Sequence, residues 1–405
     1  MPRAMTGATT TMPDRFSLSL PREVRFGRGA SAELADLLPA GRRLLVVTSR
    51  STSPVADRLL RGTSVEVARV LVTGEPVLDE VSAEVERVRP ASPELVVAVG
   101  GGSVIDTGKA LAAFLPNRSH APRDHLEVVG AGHPLTVDPL PVFAVPTTSG
   151  TGAEATHNAV LGVPDAARKV SLRDRRLTPQ LALVDPELGR DLPHAVAVAA
   201  GMDAVVQLVE AAVTPLASPP TRAAAMEGAK VALPALDRLV RGDADDTDRD
   251  ALAYGALMSG IALANAKLGT VHGFAGVLGG HRDLAHGALC GWFAAPVLAA
   301  TIEALRAEPT TGWSQGVPVP PASRALAGYT ELAYLATGES APEALPAWFD
   351  RLVVSADLPA LDLDGLPLDE VVDAVQQASS TRGNPVALSP QTLRGILEGI
   401  VVRGS

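Results

Sequence analysis

The stretch from Glu94 to Leu115 constrains the fold more than any other part of the chain. Glu94-Leu95-Val96-Val97-Ala98-Val99 is almost wholly apolar and runs straight into Gly100-Gly101-Gly102-Ser103, after which a helical pattern continues through Leu115. A short continuous apolar run is a strand covered on both faces, and a strand that turns at glycine directly into a helix implies a parallel sheet with crossover helices. Neighbouring segments repeat this alternation. Residues 43–48 and 64–71 are β-branched strand candidates, a helix opens near Ser53-Pro54, and residues 78–88 carry apolar side chains three to four apart. Further strand-like pieces lie at 142–145, 158–163 and 181–184.

Past Asp191 the texture changes. Helical patterns take over at 195–213, 221–240, 250–267, 323–335, 342–352, 366–378 and 390–401, the last one following the turn-forming Gly383-Asn384-Pro385. The acidic run Asp243–Asp250 is expected to be a solvated loop, and the Pro/Gly-rich stretch 308–321 an irregular connection. The expected organisation is a loose tail over residues 1–15, an α/β domain over 16–190 and an all-helical domain over 191–405.

Composition narrows the function. Hydrophobic residues make up 46% and charged residues 20%, so a disordered chain is excluded. A formal net charge of −10 argues against a nucleic-acid groove or a polybasic membrane patch. Cys290 is the only cysteine, which excludes an intrachain disulfide and any CxxC metal or redox motif. Together with the lack of a signal-peptide pattern, this leads to the expectation of a reducing, cytoplasmic setting. No run of about 18–20 uninterrupted apolar residues of the kind a membrane span needs is present.

The glycine turn is suited to a phosphate. Residues without Cβ let an anion approach the backbone, the following helix offers free N–H groups, and Ser103 adds a hydroxyl. It is not a Walker A loop, because Ser103 stands where glycine is needed and Ala110 follows Lys109. It is not GxGxxG either. Gly-Gly-Gly-Ser-x-x-Asp-x-x-Lys after a strand instead resembles the pyrophosphate loop of the iron-containing (group III) alcohol dehydrogenase family, within the dehydroquinate synthase-like superfamily. Val145-Pro146-Thr147-Thr148-Ser149-Gly150-Thr151-Gly152-Ala153-Glu154-Ala155-Thr156 is similar to that family's second signature. Phe26-Gly27-Arg28-Gly29-Ala30, Val184-Asp185-Pro186-Glu187-Leu188 and Gly383-Asn384-Pro385 extend the resemblance over about residues 20–400.

The resemblance implies a Rossmann-like nucleotide-binding domain followed by a helical domain that holds metal and substrate. It assigns the dinucleotide to Gly101, Gly102, Ser103, Asp106, Thr147, Thr148, Thr156 and Lys169, with Asn158 as a substrate contact. It assigns a divalent metal, Fe²⁺ or Zn²⁺, to Asp203, His272 and His286, which also serve as the catalytic centre. Two departures stand out. Gln207 occupies the place of a histidine ligand one turn after Asp203, and either adds a weak neutral oxygen or points away. Gly276 replaces a second histidine one turn after His272. Losing one imidazole disfavours Fe²⁺ and makes Zn²⁺ or an easily lost metal the expectation. Gly279-Gly280 lies between the histidine motifs, so two helices are expected to deliver His272 and His286.

The implied activity is NAD(P)H-dependent, metal-assisted reduction of a small carbonyl compound, such as phosphonoacetaldehyde or maleylacetate. The alternatives are a dehydroquinate-synthase-type cyclase or lyase, and a noncatalytic homologue with a decayed metal site. NADP(H) is favoured over NAD(H), because Ser49 stands where NAD-specific relatives carry an aspartate and Arg50 follows it. A homodimer is expected, with a small-molecule carbonyl or alcohol substrate and neither nucleic acid nor membrane as partner.

Overall fold

The structure, a computed structural model, describes residues 15–404 apart from 64–65, 167, 282–284, 308–311, 315–316, 320–321, 357, 359–360, 362 and 364. The tail expected over 1–15 therefore lies almost entirely outside the described residues. The first half contains strands β1 (Glu23–Phe26), β2 (Leu44–Ser49), β3 (Glu66–Val72), β4 (Leu95–Gly100), β5 (Val142–Pro146), β6 (Asn158–Val163), β7 (Arg168–Arg173) and β8 (Leu181–Val184). Helices α1 (Leu34–Leu37), α2 (Ser53–Leu59), α3 (Leu78–Val88) and α4 (Gly102–Phe114) alternate with them.

Six strands form one sheet in the order β1-β8-β5-β4-β2-β3, with every pairing parallel. All six residues of β4 and five of the six in β2 are buried, as expected of strands covered on both faces. The chain leaves β2 for β3 on one side and β4 for β5 on the other, so the carboxyl ends of β2 and β4 flank the point where the winding reverses. Ligands of open α/β sheets bind in the crevice outside such a point. Here Ser49 ends β2 and Gly100 ends β4, and Thr52 Oγ1 ties the two ends together by donating to Val99 O at 2.9 Å.

Two strands escape sequence patterning. β1 is a four-residue edge strand in which two of the residues, Glu23 and Arg25, are charged. β7 pairs antiparallel with β6, outside the main sheet, and only Val170 and Leu172 of its six residues are buried.

The second half is helical: α5 (His194–Val213), α6 (Pro219–Arg241), α7 (Asp246–Asn265), α8 (Thr270–His281), α9 (His286–Ala307), α10 (Ala322–Thr337), α11 (Ala344–Ser355), α12 (Leu368–Gln377) and α13 (Pro390–Gly404). Helices α5 and α9 have the length and mean hydropathy (1.7 and 1.6) of membrane spans. Their apolar residues, among them Val205, Leu208, Leu289 and Phe293, instead form the core of the helical bundle. At one point the two helices meet without an intervening side chain: a Cβ on Gly287 would lie 1.8 Å from the carbonyl oxygen of Ala199.

Two local expectations are corrected. The acidic run is not a free loop, because α7 opens at Asp246. Asp245 caps it by accepting from Asp248 N at 3.0 Å, and the Asp248 carboxylate accepts in turn from Asp245 N at 3.1 Å. Carboxylates at a helix start accept from otherwise unpaired N–H groups and complement the positive end of the dipole. Within 308–321, Gly312–Ser314 and Val317–Val319 form a short antiparallel pair in place of irregular chain.

Candidate functional site

Helix α5 presents Asp203, Gln207 and Glu210 at i, i+4 and i+7, a spacing that puts all three on one face, and all three are buried. Asp203 faces His272, the third residue of α8, and His286, the first of α9. Two helices thus deliver the histidines as expected, although Gly279 and Gly280 fall inside the last turn of α8. Asp203 Oδ1 lies 3.2 Å from His272 Nε2 and 3.8 Å from His286 Nε2. Cys290, one turn after His286 on α9, completes the group. Its Sγ lies 3.8 Å from Asp203 Oδ1 and 3.7 Å from His272 Nε2. One donor atom from each of the four residues falls within 4.8 Å of the other three.

Burial opposes charge on every member, yet the members overcome it for one another. The Cys290 thiol and the neighbouring Asp203 and Glu210 carboxylates hold His272 well above its ordinary pKa despite burial. Burial works against ionisation of Asp203, but His272, His286 and Gln207 outweigh it and its pKa is lowered. Cys290 is likewise depressed, with its burial outweighed mainly by the two imidazoles. Carboxylate, thiolate and two imidazoles around one point form an electron-rich pocket matched to a divalent cation.

Glu210 supports this group from outside. Its Oε2 lies 2.6 Å from His272 Nδ1, and its Oε1 accepts from Val271 N at 2.8 Å. A carboxylate on Nδ1 fixes the tautomer that leaves Nε2 free as a donor to metal. Gly269 makes room for this reach, since a Cβ there would lie 2.5 Å from Glu210 Oε1. Asn384, from the Gly383-Asn384-Pro385 turn, accepts from Thr270 N at 3.3 Å, so two acidic or amide oxygens cap the first turn of α8.

Gln207 is placed differently from a ligand. Its Nε2 donates to Asp203 Oδ1 at 2.9 Å, and its Oε1 accepts from Ser259 Oγ at 3.0 Å. The amide oxygen is therefore turned away from the donor group. Of the two roles expected for Gln207, a weak oxygen ligand or a side chain pointing away, this placement matches the second, with its NH₂ on the Asp203 carboxylate. At Gly276 a Cβ would meet nothing within 4 Å, so the missing histidine leaves open space on α8.

At the crevice, Gly101 is the N-cap of α4, and Gly102 and Ser103 form its first turn, half-buried. A Cβ on Gly102 would sit 2.6 Å from Thr151 Oγ1, and one on Gly101 3.2 Å from Thr148 Cγ2. Glycine is thus needed for the hydroxyl-rich loop after β5 to close against the helix start. Thr147, Thr148 and Ser149 line a small cleft there with Glu154 and Asp185. Ser49 is half-buried, and its Oγ pairs with Thr52 Oγ1 and Ser51 Oγ, both at 2.9 Å; Arg50 is exposed beside them.

Other assigned residues serve the framework. Lys109, fully buried, donates to Thr156 Oγ1 at 2.8 Å and to Asn158 O at 3.0 Å, and lies 3.6 Å from Asp106. Asp106 Oδ2 also accepts from Val160 N at 3.0 Å. Asp106, Thr156 and the Asn158 backbone therefore bind α4 to the segment that enters β6. Lys169 on β7 pairs with Glu75, and its Nζ would be 2.9 Å from a Cβ on Gly279 of α8. Asp185 accepts from Gly29 N and Ser31 N, both at 3.1 Å, pinning the loop after β1 to the end of β8.

Sequence reasoning missed Cys290 and Glu210. The signals were present: Cys290 follows His286 at i+4, and Glu210 follows Asp203 at i+7 on a helix already assigned.

The family model for iron-containing alcohol dehydrogenase matches residues 21–186, and the one for the C-terminal region of the Fe-containing alcohol dehydrogenase family matches residues 197–401. The chain is 33% identical over 284 residues to an NAD-dependent methanol dehydrogenase of Bacillus methanolicus, covering 66% of this chain and 71% of that one. It is 30% identical over 280 residues to an NADPH-dependent butanol dehydrogenase of Clostridium saccharobutylicum, covering 66% and 70% respectively. A solved 1,3-propanediol oxidoreductase superimposes with a TM-score of 0.81 at 26% identity, over 95% of this chain and 100% of that one.

Proposed function

The chain belongs to the iron-containing alcohol dehydrogenase family and is an alcohol dehydrogenase-type oxidoreductase, and from that premise we propose that it reduces a small anionic aldehyde or ketone to the alcohol with hydride from NAD(P)H. The observation that carries this reading is the convergence of Asp203, His272 and His286 from three helices onto one buried point. A divalent ion held there supplies Lewis acidity that polarises a carbonyl oxygen and stabilises charge developing on it. That the three donors and the Glu210 support are all retained argues against a decayed site.

The chain's own groups divide the remaining work. The first turn of α4 offers backbone N–H groups and Ser103 to the pyrophosphate, and Thr147 and Thr148 supply hydroxyls toward the inner end of the cofactor. Ser49 puts no carboxylate at the adenosine ribose, and the adjacent Arg50 is free to meet a 2′-phosphate, which supports NADP(H). The open space at Gly276 admits a substrate where a histidine would stand.

Phosphonoacetaldehyde and maleylacetate fit as substrates on charge. Lys267, five residues before His272, lies near the cations Arg382 and Arg173 and near Glu127, so basic side chains that suit an anion gather around the segment leading into α8. The test is oxidation of NADPH and NADH by metal-loaded protein against a panel of small aldehydes and ketones, neutral and anionic. Turnover of anionic members in preference to neutral ones of equal length is expected. No turnover of any member refutes the reaction, and preference for neutral members refutes the substrate class.

A further inference from the structure

We propose that Cys290 is the fourth protein ligand of the metal in this chain, its thiolate taking over from the imidazole absent at Gln207, and that the ion so held is zinc in preference to Fe²⁺. The inference rests on the metal-assisted reading of the same site.

Geometry is its first support. A tetrahedral ion with ordinary bond lengths separates two nitrogen or oxygen donors by roughly 3.4 Å, and a sulfur from either by about 3.6 Å. The observed separations are 3.2 and 3.8 Å from Asp203 Oδ1 to the two imidazoles, and 3.8 and 3.7 Å from Cys290 Sγ to Asp203 Oδ1 and His272 Nε2. The sulfur thus stands from the donors of α5 and α8 at close to the separations a tetrahedral ion would require, although it is itself carried by α9. Its position one turn after His286 presents both side chains from the same face.

Gln207 is the second support. Its amide nitrogen, not its oxygen, faces Asp203, and Ser259 engages the oxygen. Without Cys290 the protein set has three donors, and the nearest further polar group offers only N–H to a cation. Burial is the third. Cys290 is fully enclosed and Asp203 and His272 nearly so, so the thiol has no solvent-facing role and its polar neighbours are the other members of the group. On binding, the thiol proton leaves to solvent and the sulfur lone pair forms the bond to metal. A soft thiolate beside two imidazoles favours zinc over Fe²⁺.

The experiment strips the full-length protein of metal and reloads it with Co²⁺, whose bond to sulfur gives a charge-transfer absorption in the near ultraviolet. Because Cys290 is the only cysteine in the chain, that band has a single source. The wild type is expected to take up one ion per chain and to show the band. Cys290→Ser is expected to lose the band and to bind cobalt more weakly, by more than the roughly 10–100-fold that loss of an outer-shell partner costs. A Cys290→Ala/Gln207→His double variant is expected to regain cobalt without the band. Stoichiometric cobalt with no sulfur band in the wild type overturns the proposal whatever the variants do, and so does a band that persists in Cys290→Ser. Aldehyde reduction without the band would sink the ligand assignment alone. A band without reduction of any carbonyl would sink the reaction alone, and a wild type that takes up no cobalt overturns both.

Discussion

Replacing Glu210 by glutamine tests whether the buried carboxylate, and not merely a side chain of its shape, sets up His272. The carboxylate accepts at both oxygens, from His272 Nδ1 at 2.6 Å and Val271 N at 2.8 Å. A carboxamide has one acceptor oxygen and an NH₂ group, so it can serve only one of the two. If the oxygen stays on Val271, the NH₂ confronts Nδ1, and the imidazole proton must move to Nε2, the atom that faces Asp203. That tautomer has no lone pair for a metal. If the oxygen turns to Nδ1, the Val271 N–H is left unsatisfied in a site where Glu210 is only 3% exposed, costing about 1–3 kcal/mol of stability. Loss of such an outer-shell partner weakens metal binding by about 10–100-fold, or roughly 1.4–2.7 kcal/mol. Competition with a chromophoric chelator reads the affinity, and denaturant unfolding of metal-free protein reads the stability. A Glu210→Gln protein that matches the wild type in both would refute this account of Glu210.

Three further outcomes are expected. His272→Ala should lose bound metal and turnover while still binding dinucleotide, since the nucleotide loops stand on the sheet; a metal-replete, active variant would remove His272 from the site. The wild type should prefer NADPH to NADH by about tenfold or more, through a charge-assisted contact from Arg50, and Ser49→Asp should reverse the preference; equal kcat/KM for both cofactors in the wild type would contradict it. Burial raises Glu154 from 4.5 to about 7, so the unfolded chain releases this proton first as the pH rises. Its contribution to stability is full below about pH 4.5 and is lost as the pH approaches 7, by about 3 kcal/mol; Glu154→Gln should flatten stability–pH curves over that window, and an unchanged slope would show that Glu154 titrates normally.

What the sequence disclosed and withheld follows from how each feature is encoded. The parallel sheet was legible because β2 and β4 are buried on both faces and so read as unbroken apolar runs. β1 and β7 were not, because an edge strand and a hairpin outside the sheet carry charged residues that break the pattern. Asp203, His272 and His286 were legible through motifs whose residue types match a metal. Cys290 was passed over although it follows His286 at i+4, because a single cysteine was read only for compartment and disulfides. The orientation of Gln207 was beyond sequence as well: its side chain sits between Asp203 on its own helix and Ser259, 52 positions away. Lys109 looked like part of a phosphate loop, yet its burial makes it the tie between α4 and the entry to β6.

The contact between Gly287 and Ala199 makes the peptide backbone itself the gauge of the donor group formed by Asp203, His272, His286 and Cys290. Side chains between two helices can change rotamer and let the gap breathe, but a carbonyl oxygen against a glycine Cα has no such play. The distance from the helix bearing Asp203 to the helix bearing His286 and Cys290 is thereby set independently of which donors project into the gap. A lineage could exchange imidazole for sulfur, or sulfur for imidazole, at the ends of these side chains and keep the same frame. Ligand chemistry and architecture are in this sense separately heritable, and the glycine is what uncouples them.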